Sequence, residues 1–316
     1  MRELDIFDGH CDTLTACLLS GEGLLKNTGH LDLTRAMGYR RYAQFFALFG
    51  QPEDFPGQEI SYGEIFAREH ALFQRELAAS GGAAVLCTTA AEAEAAFSAG
   101  KVAAFLSVEG AELLDCSLER LEQARDLGVR SVNPTWNHAN ALSGTNAEET
   151  GRGLTPQGRA FVEKAERLGV LVDVSHLSDA GFWDVAETLS GPFWASHSNS
   201  RKLFSHPRNL TDEQFTAIIE HNGVAGLNLY ADFLGEAPGV DTVVAHLDHW
   251  MELGGAQNIA LGGDLDGCGR LPAGFSGVES WPLLYEALLR RNTPENVVRD
   301  LFFNNLMRVV SEVCIM

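Results

Sequence analysis

Basic residues are scarce in this chain. Lys and Arg number 23 against 43 Asp and Glu, a formal charge of −20 at pH 7. Nucleic acid and anionic membrane surfaces are bound through excess positive charge, so neither is an expected partner. Cysteine is sparse too. Cys11, Cys17, Cys87, Cys116, Cys268 and Cys314 are scattered over 316 residues and form no CxxC pair. That argues against a disulfide scaffold and for a reducing compartment. No apolar run approaches the roughly 18 residues of a membrane span. The opening MRELDIFDGH lacks the basic and apolar regions of a signal peptide, and Cys314-Ile315-Met316 is one residue short of a prenylation box. The expectation is a soluble, cytoplasmic protein. The acidity does not identify a substrate.

Low-complexity linkers and short repeats are also missing. What recurs is an alternation of β-rich runs with helical patterns. The runs are Leu4 to His10, Tyr42 to Phe49, Val102 to Glu109, Val129 to Trp136, Val170 to His176, Pro192 to His197, Val224 to Tyr230 and Ile259 to Asp264. Most are continuously apolar, as parallel strands covered on both faces are. Between them stand helix signals. Thr155-Pro156 reads as an N-cap with proline at the first helical position, and Gly169 closes that helix. Thr211 with Gln214 fits a capping box, and Thr293-Pro294 opens a last helix. Eight strand signals alternating with helices predict a single (β/α)8 TIM barrel over residues 1–316, closed by a C-terminal helix. The alternative is an open doubly wound sheet, but no GxGxxG follows the first strand.

In such a barrel, chemistry sits at the C-terminal strand ends. These ends carry Asp8-Gly-His10-Cys-Asp12, Glu109-Gly110, Asp173-Val-Ser-His176, Ala195-Ser-His197 and Gly263-Asp264-Leu-Asp266. Residues two apart on a strand share a face, so His10 and Asp12 can reach one ion while Cys11 points away. Taken singly, His176 or His197 is better explained as a core residue bonded to a carbonyl than as a ligand. Gathered at one mouth, His10, Asp12, Glu109, His176 and His197 are costly to bury unless a cation pairs them. Imidazole with carboxylate suits zinc, with manganese or iron as alternatives. Five ligands exceed one tetrahedral ion, so two ions bridged by a carboxylate fit better, with Glu109 as the natural bridge. Asp264 then faces the mouth as acid/base or as a further ligand. His246 and His249 are expected on a solvated helix face, His30, His70 and His221 are given no role, and Asp266 is expected to orient a neighbour or cap a loop.

These motifs resemble the membrane (renal-type) dipeptidase family, the M19 zinc peptidases. The resemblance runs over essentially the whole chain. It is carried by Asp8-Gly-His10-Cys11-Asp12-Thr13, Val108-Glu109-Gly110-Ala111, Ser175-His176, Ala195-Ser196-His197-Ser198, Gly262-Gly263-Asp264-Leu265-Asp266-Gly267 and Asn305-Leu306-Met307-Arg308-Val309, in family order. It implies a dipeptidase in which His10 and Asp12 bind one zinc, His176 and His197 the second, and Glu109 both. A metal-bridging hydroxide is then the nucleophile, Asp264 the acid/base, and Arg208 the contact for the substrate's terminal carboxylate. It further implies tolerance of L-Xaa-D-Xaa dipeptides and a homodimer. One departure stands out. Where the animal enzymes place a histidine in the loop after the fourth strand run, this chain has Trp136; the expectation is that His138 or Asn140 substitutes at the substrate, or that zinc mainly holds the oxyanion. The rival readings are another two-metal amide or ester hydrolase of the amidohydrolase type, and a non-catalytic metal-binding barrel. The first is disfavoured by His10-x-Asp12 in place of HxH and by the lack of lysine in Val129 to Trp136.

Overall fold

A computed structural model of the chain describes residues 3–315. Nine strands, all parallel, are found among them: β1 Asp5–Cys11, β2 Arg41–Leu48, β3 Ala84–Leu86, β4 Val102–Glu109, β5 Val129–Asn133, β6 Leu171–Val172, β7 Trp194–Ser198, β8 Val224–Leu227 and β9 Ile259–Leu261. Their order is β6-β5-β4-β2-β1-β9-β8-β7, with β3 beside β4. Eight of them form the predicted TIM barrel. β2 occupies one side of β4 from Ala103 to Val108, so β3 and β5 share the other side, β3 against Val102–Ala104 and β5 further along. β3 was not anticipated; three residues in an alanine-rich stretch carry too little pattern to register.

The ladder is thinnest between β6 and β7. Among the described residues their backbones meet through an Asp173–Trp194 bridge and the Val174 N–H donated to the Trp194 carbonyl at 2.9 Å. Several strands also stop short of their apolar runs. Val129 to Trp136 yields Val129–Asn133, Val170 to His176 yields Leu171–Val172, and Ile259 to Asp264 yields Ile259–Leu261. At the mouth the chain leaves the ladder, and the residues it releases include His176 and Asp264.

Inside the barrel, large and small residues interlock: Phe7, Phe45, Phe105 and Trp194 against Ala43, Ala103 and Ala260, all fully buried. Ring centroids of Phe7, Phe45 and Phe105 lie 5.1–5.8 Å apart, and Trp194 is 5.1 Å from Phe45. The Trp194 indole N–H donates to Ser131 Oγ at 3.0 Å, which satisfies the one polar atom this layer buries. The C-terminal helix packs Phe303, Leu306, Val309 and Val310 against the same cluster. It is not one regular helix. A π turn at Asp300–Asn304 separates Glu295–Arg299 from Asn305–Val313, and Asn305 Nδ2 then reaches the carbonyls of Ala256 and Ile259 at 2.9 and 2.8 Å. Two of the predicted helix starts carry their caps: Thr155 accepts from Gly158 N–H at 3.0 Å, and Thr211 and Gln214 form a reciprocal box; at the third, Pro294 rather than Thr293 is the cap residue and no side chain caps the helix.

Two further outcomes concern the surface and the core. Among the described residues no helix is long and apolar enough to cross a membrane, and all six cysteines are free and buried. His246 corrects an expectation. It lies on helix Val240–Glu252 but is 1 % exposed, because the loops bearing Ser200 and Leu234 close over it. Its Nδ1 accepts the Ser200 N–H at 3.1 Å and its Nε2 pairs with the Leu234 carbonyl at 3.2 Å. Only His249 meets a partner at the helix edge, Asp212 Oδ1 at 2.8 Å.

Burial pushes the His246 pKa down from 6.5 to about 4, with the Leu234 carbonyl opposing and His249 adding. Below pH 6.5 the unfolded chain therefore binds a proton at this position that the folded chain refuses. Its contribution is constant above that pH and is lost progressively down to about pH 4, by up to about 3 kcal/mol. Urea midpoints at pH 7.5 and 4.5 test this. The drop should be smaller by about that amount in His246→Gln, and equal drops in both proteins would contradict it.

Candidate active site

The site is built on the β1 end. β1 runs to Cys11, with its register to β2 shifting between Asp8 and Cys11. His10 points into the mouth. Asp12 lies one residue beyond the strand, at the head of helix Thr13–Ser20, and its N–H donates to the Leu265 carbonyl at 2.9 Å. Cys11 faces the outer apolar cluster, as strand alternation requires. Behind His10, the fully buried Asp8 accepts the His10 N–H at 3.2 Å and the Gly263 N–H at 2.8 Å through Oδ1. One carboxylate thus ties β1 to the turn carrying Asp264. Burial raises the Asp8 pKa to about 7, against the pull of those two N–H groups.

Glu109, at the end of β4 and 4 % exposed, sits between two groups. Its Oε2 is 3.5 Å from His10 Nε2; its Oε1 is 2.8 Å from His176 Nε2 and 3.4 Å from His197 Nε2. Asp12 Oδ2 lies 3.6 Å from His10 Nε2. Two sets of donor atoms lie within 4.8 Å of one another: His10, Glu109 and His197, and His10, Asp12 and Asp264. All five residues read as ligands meet here, with Asp264 beside them.

The protonation of the two neutral histidines follows from their outer partners. His176 Nδ1 lies 3.0 Å from Asn137 Oδ1, and His197 Nδ1 lies 2.7 Å from Ser196 Oγ, whose own proton goes to Asp173. Each Nδ1 is thereby assigned the hydrogen, and each Nε2 the lone pair. Yet the two Nε2 atoms are 3.0 Å apart and both face Glu109 Oε1. Acceptor thus faces acceptor across these three atoms, with the Arg208 guanidinium beside His176 Nε2 as a donor. His10 Nε2 and Asp12 Oδ1 are likewise buried without a hydrogen-bond partner. Such a nest has the donor chemistry of a divalent-cation site. Burial pushes His176 and His197 well below the usual histidine range, helped by the charges of Arg208 and His10. Burial also raises the Glu109 carboxyl to about 8.

Asp264 sits at φ 53° in the left-handed region, 7 % exposed, and Asn228 Nδ2 donates to its Oδ2 at 3.0 Å. Burial raises it to about 6, with His10 opposing and Asp12 adding. Arg208 is 6 % exposed. Its guanidinium donates to the carbonyls of Ser175 and His197, and Nη2 stands 3.1 Å from His176 Nε2. Burial lowers its pKa.

These groups floor a cavity of about 690 Å³, walled by Phe49, Trp136, Tyr230 and Phe233. Trp136 tilts against Phe49 at 4.8 Å between centroids. His138 and Asn140 are not among its lining residues. His138 is exposed and pairs with Glu148 Oε1 at 3.0 Å. Asn140 spends its amide on Glu112 Oε2 and the Pro134 carbonyl, and its Oδ1 on the N–H groups of Leu142 and Ser143. In their stead Asn137 and Asn146 line the cavity, and no spacing in the sequence marked them. His30, given no role, braces the Asp266 turn: its N–H donates to Asp266 Oδ1 and its Nδ1 accepts the Asp266 N–H at 3.0 Å. Thr13 adds a hydroxyl donor at 2.6 Å, so Asp266 does tie loops together.

A family model described as membrane dipeptidase, peptidase family M19, matches residues 1–315. A Klebsiella pneumoniae protein encoded in the pqqA 5′ region is 34% identical over 271 residues, covering 82% of this chain and 98% of its own. Among solved structures, a metallo peptidase of family M19 described as dipeptidase AC superposes with TM-score 0.88 at 30% identity over 99% of each chain. A metallo peptidase from Rhodobacter sphaeroides, solved with a phosphinate mimic of the dipeptide L-Ala-D-Ala, gives TM-score 0.88 at 29% identity over 99% of this chain and 100% of its own.

Proposed function

The chain belongs to the membrane dipeptidase family, peptidase family M19, and we propose that it is a two-zinc enzyme cleaving dipeptides, L-Xaa-D-Xaa among them. That it is a metal-dependent dipeptidase follows from the family and from its structural neighbours. The observation that carries the two-zinc reading is Glu109, with one oxygen toward His10 and the other toward His176 and His197. His10 and Asp12 would hold one ion, His176 and His197 the other, and Glu109 both. When bound, such a pair supplies a water made nucleophilic at neutral pH and Lewis-acid polarisation of the peptide carbonyl.

The protein's own groups do the rest. Arg208 receives the terminal carboxylate, exchanging its backbone carbonyl partners for a charge-assisted pair. A free C-terminus is therefore required. Asp264, oriented by Asn228, accepts the proton of the attacking water and passes it to the leaving amine. Phe49, Trp136, Tyr230 and Phe233 shelter the reacting bond from bulk water and offer apolar contact to the side chains. The phosphinate complex of the Rhodobacter sphaeroides relative supports a D-residue at the second position. Six free, buried cysteines suit a reducing, cytoplasmic setting.

Chelation should abolish turnover of a dipeptide panel and added zinc restore it; metal-loaded protein that turns over no dipeptide would sink the proposal. Metal analysis should find two ions per chain in the wild type and fewer in Glu109→Gln. Asp264→Asn should keep both ions and lose about 10²–10⁴-fold in kcat. An unchanged kcat would remove Asp264 from the chemistry. In Arg208→Met, KM for dipeptides should rise roughly 10- to 100-fold, and the wild type's preference for a free over an amidated C-terminus should disappear.

A further inference from the structure

Asp173 has no part in the chemistry described above, yet it is 1 % exposed and lies directly behind the two histidines of the second metal pair. Its carboxylate is saturated. Oδ1 accepts the Ser175 N–H at 3.0 Å, the Ser175 hydroxyl at 2.6 Å and the Ser196 N–H at 3.0 Å, and Oδ2 accepts the Ser196 hydroxyl. Both serines immediately precede a histidine, Ser175 before His176 and Ser196 before His197. The two histidines are nevertheless held differently. His176 Nδ1 leans on a neutral amide, Asn137 Oδ1. His197 Nδ1 leans on Ser196 Oγ, whose proton is committed to a carboxylate. A hydroxyl that donates to an anion is a stronger acceptor than a free one, since hydrogen bonds in a chain polarise one another. The Ser196 oxygen also has no second proton to offer, so His197 must be the donor.

We infer that Asp173 acts through Ser196 as the positioning residue of the second metal pair, fixing the Nδ1–H form of His197 and making its Nε2 the stronger of the two imidazole donors. Outer partners of this kind orient a metal-binding histidine and raise its basicity. The same carboxylate holds the β6 end to β7, the thinnest part of the barrel ladder, so frame and ligand are set by one group. This rests on the two-ion reading given above. Loss of the frame alone would displace His176 and His197 together and lower the melting temperature of the metal-free protein, whereas the Ser196 hydroxyl reaches only His197.

The test is metal binding by the full-length protein, read by competitive titration with zinc and by the visible spectrum after cobalt substitution. In Ser196→Ala one of two equivalents should bind 10- to 100-fold more weakly while the other is unchanged. One of the two cobalt spectral components should shift, and Ser196→Thr, which keeps the hydroxyl, should restore both readouts. The melting temperature of the metal-free variant should stay close to that of the wild type. Asp173→Asn carries the same expectation and decides the matter if Ser196→Ala does not fold. Unaltered affinity for both equivalents in these variants, or equal weakening of both, overturns the inference while leaving the two-ion reading standing. A wild type that takes up no ions overturns both.

Discussion

The mouth of this barrel crowds more hydrogen-bond acceptors together than the donors beside them can serve. Two imidazole lone pairs 3.0 Å apart face one carboxylate oxygen, and a third imidazole nitrogen faces the other. In water such groups would turn away from each other. Here they cannot, because each is held from behind: His10 through its backbone by Asp8, His176 by Asn137, His197 by Ser196 and Asp173. The repulsion between the His176 and His197 lone pairs and Glu109 Oε1 is therefore built into the fold, and a divalent cation is the partner that turns these contacts attractive.

Holding them requires a rigid frame. The interlocked aromatic layer of Phe7, Phe45, Phe105 and Trp194 fills the barrel directly beneath the site. Above it, two glycines set how closely the β7, β8 and β9 ends approach. A Cβ at Gly226 or Gly262 would lie 2.0 or 1.8 Å from the Ser196 carbonyl oxygen. Contacts that short cannot exist, so a side chain at either position would push β7 outward and carry His197 with it. The left-handed backbone at Asp264 and Asp266 is a second local constraint, stabilised by Asp8 from within and His30 from without. Frame residues and ligand residues thus alternate along the same short segments, which is why the motifs at the strand ends are dense.

That density explains what the sequence shows and what it hides. Continuous apolar runs revealed eight strands, because a parallel strand buried on both faces must be apolar throughout. Chemically costly residues at their ends singled out His10, Asp12, Glu109, His176, His197 and Asp264, which the fold brings together, because burying them demands a common reason. β3 was hidden by its shortness. His246 was misread because i, i+3 spacing on a helix says nothing of which loops will cover it. In the loop after β5, Trp136 lines the cavity as read, but His138 and Asn140 turn to Glu148, Glu112 and backbone, while Asn137 and Asn146 face inward. Loop direction is decided by such local hydrogen bonds, which periodicity does not encode. Asp173 was visible in the motif two residues before Ser175, yet its function lies in contacts from another strand.

The charge of −20 divides accordingly. Most acidic residues lie outside the core, but Asp8, Asp12, Glu109, Asp173 and Asp264 are buried within one end of the barrel. Asp173 is held by hydrogen bonds from two serine hydroxyls and two backbone N–H groups. Asp12, Glu109 and Asp264 crowd one another; burial raises Glu109 and Asp264 above the carboxylate range, the charge of His10 opposes that rise, and the repulsion from Asp12 works against His10. A cation bound there interacts with the folded state and has no comparable site in the unfolded chain. Its binding free energy is therefore also folding free energy. The groups that make hydrolysis feasible are thus the groups that make the unliganded barrel least stable, and metal affinity and fold stability rise or fall together.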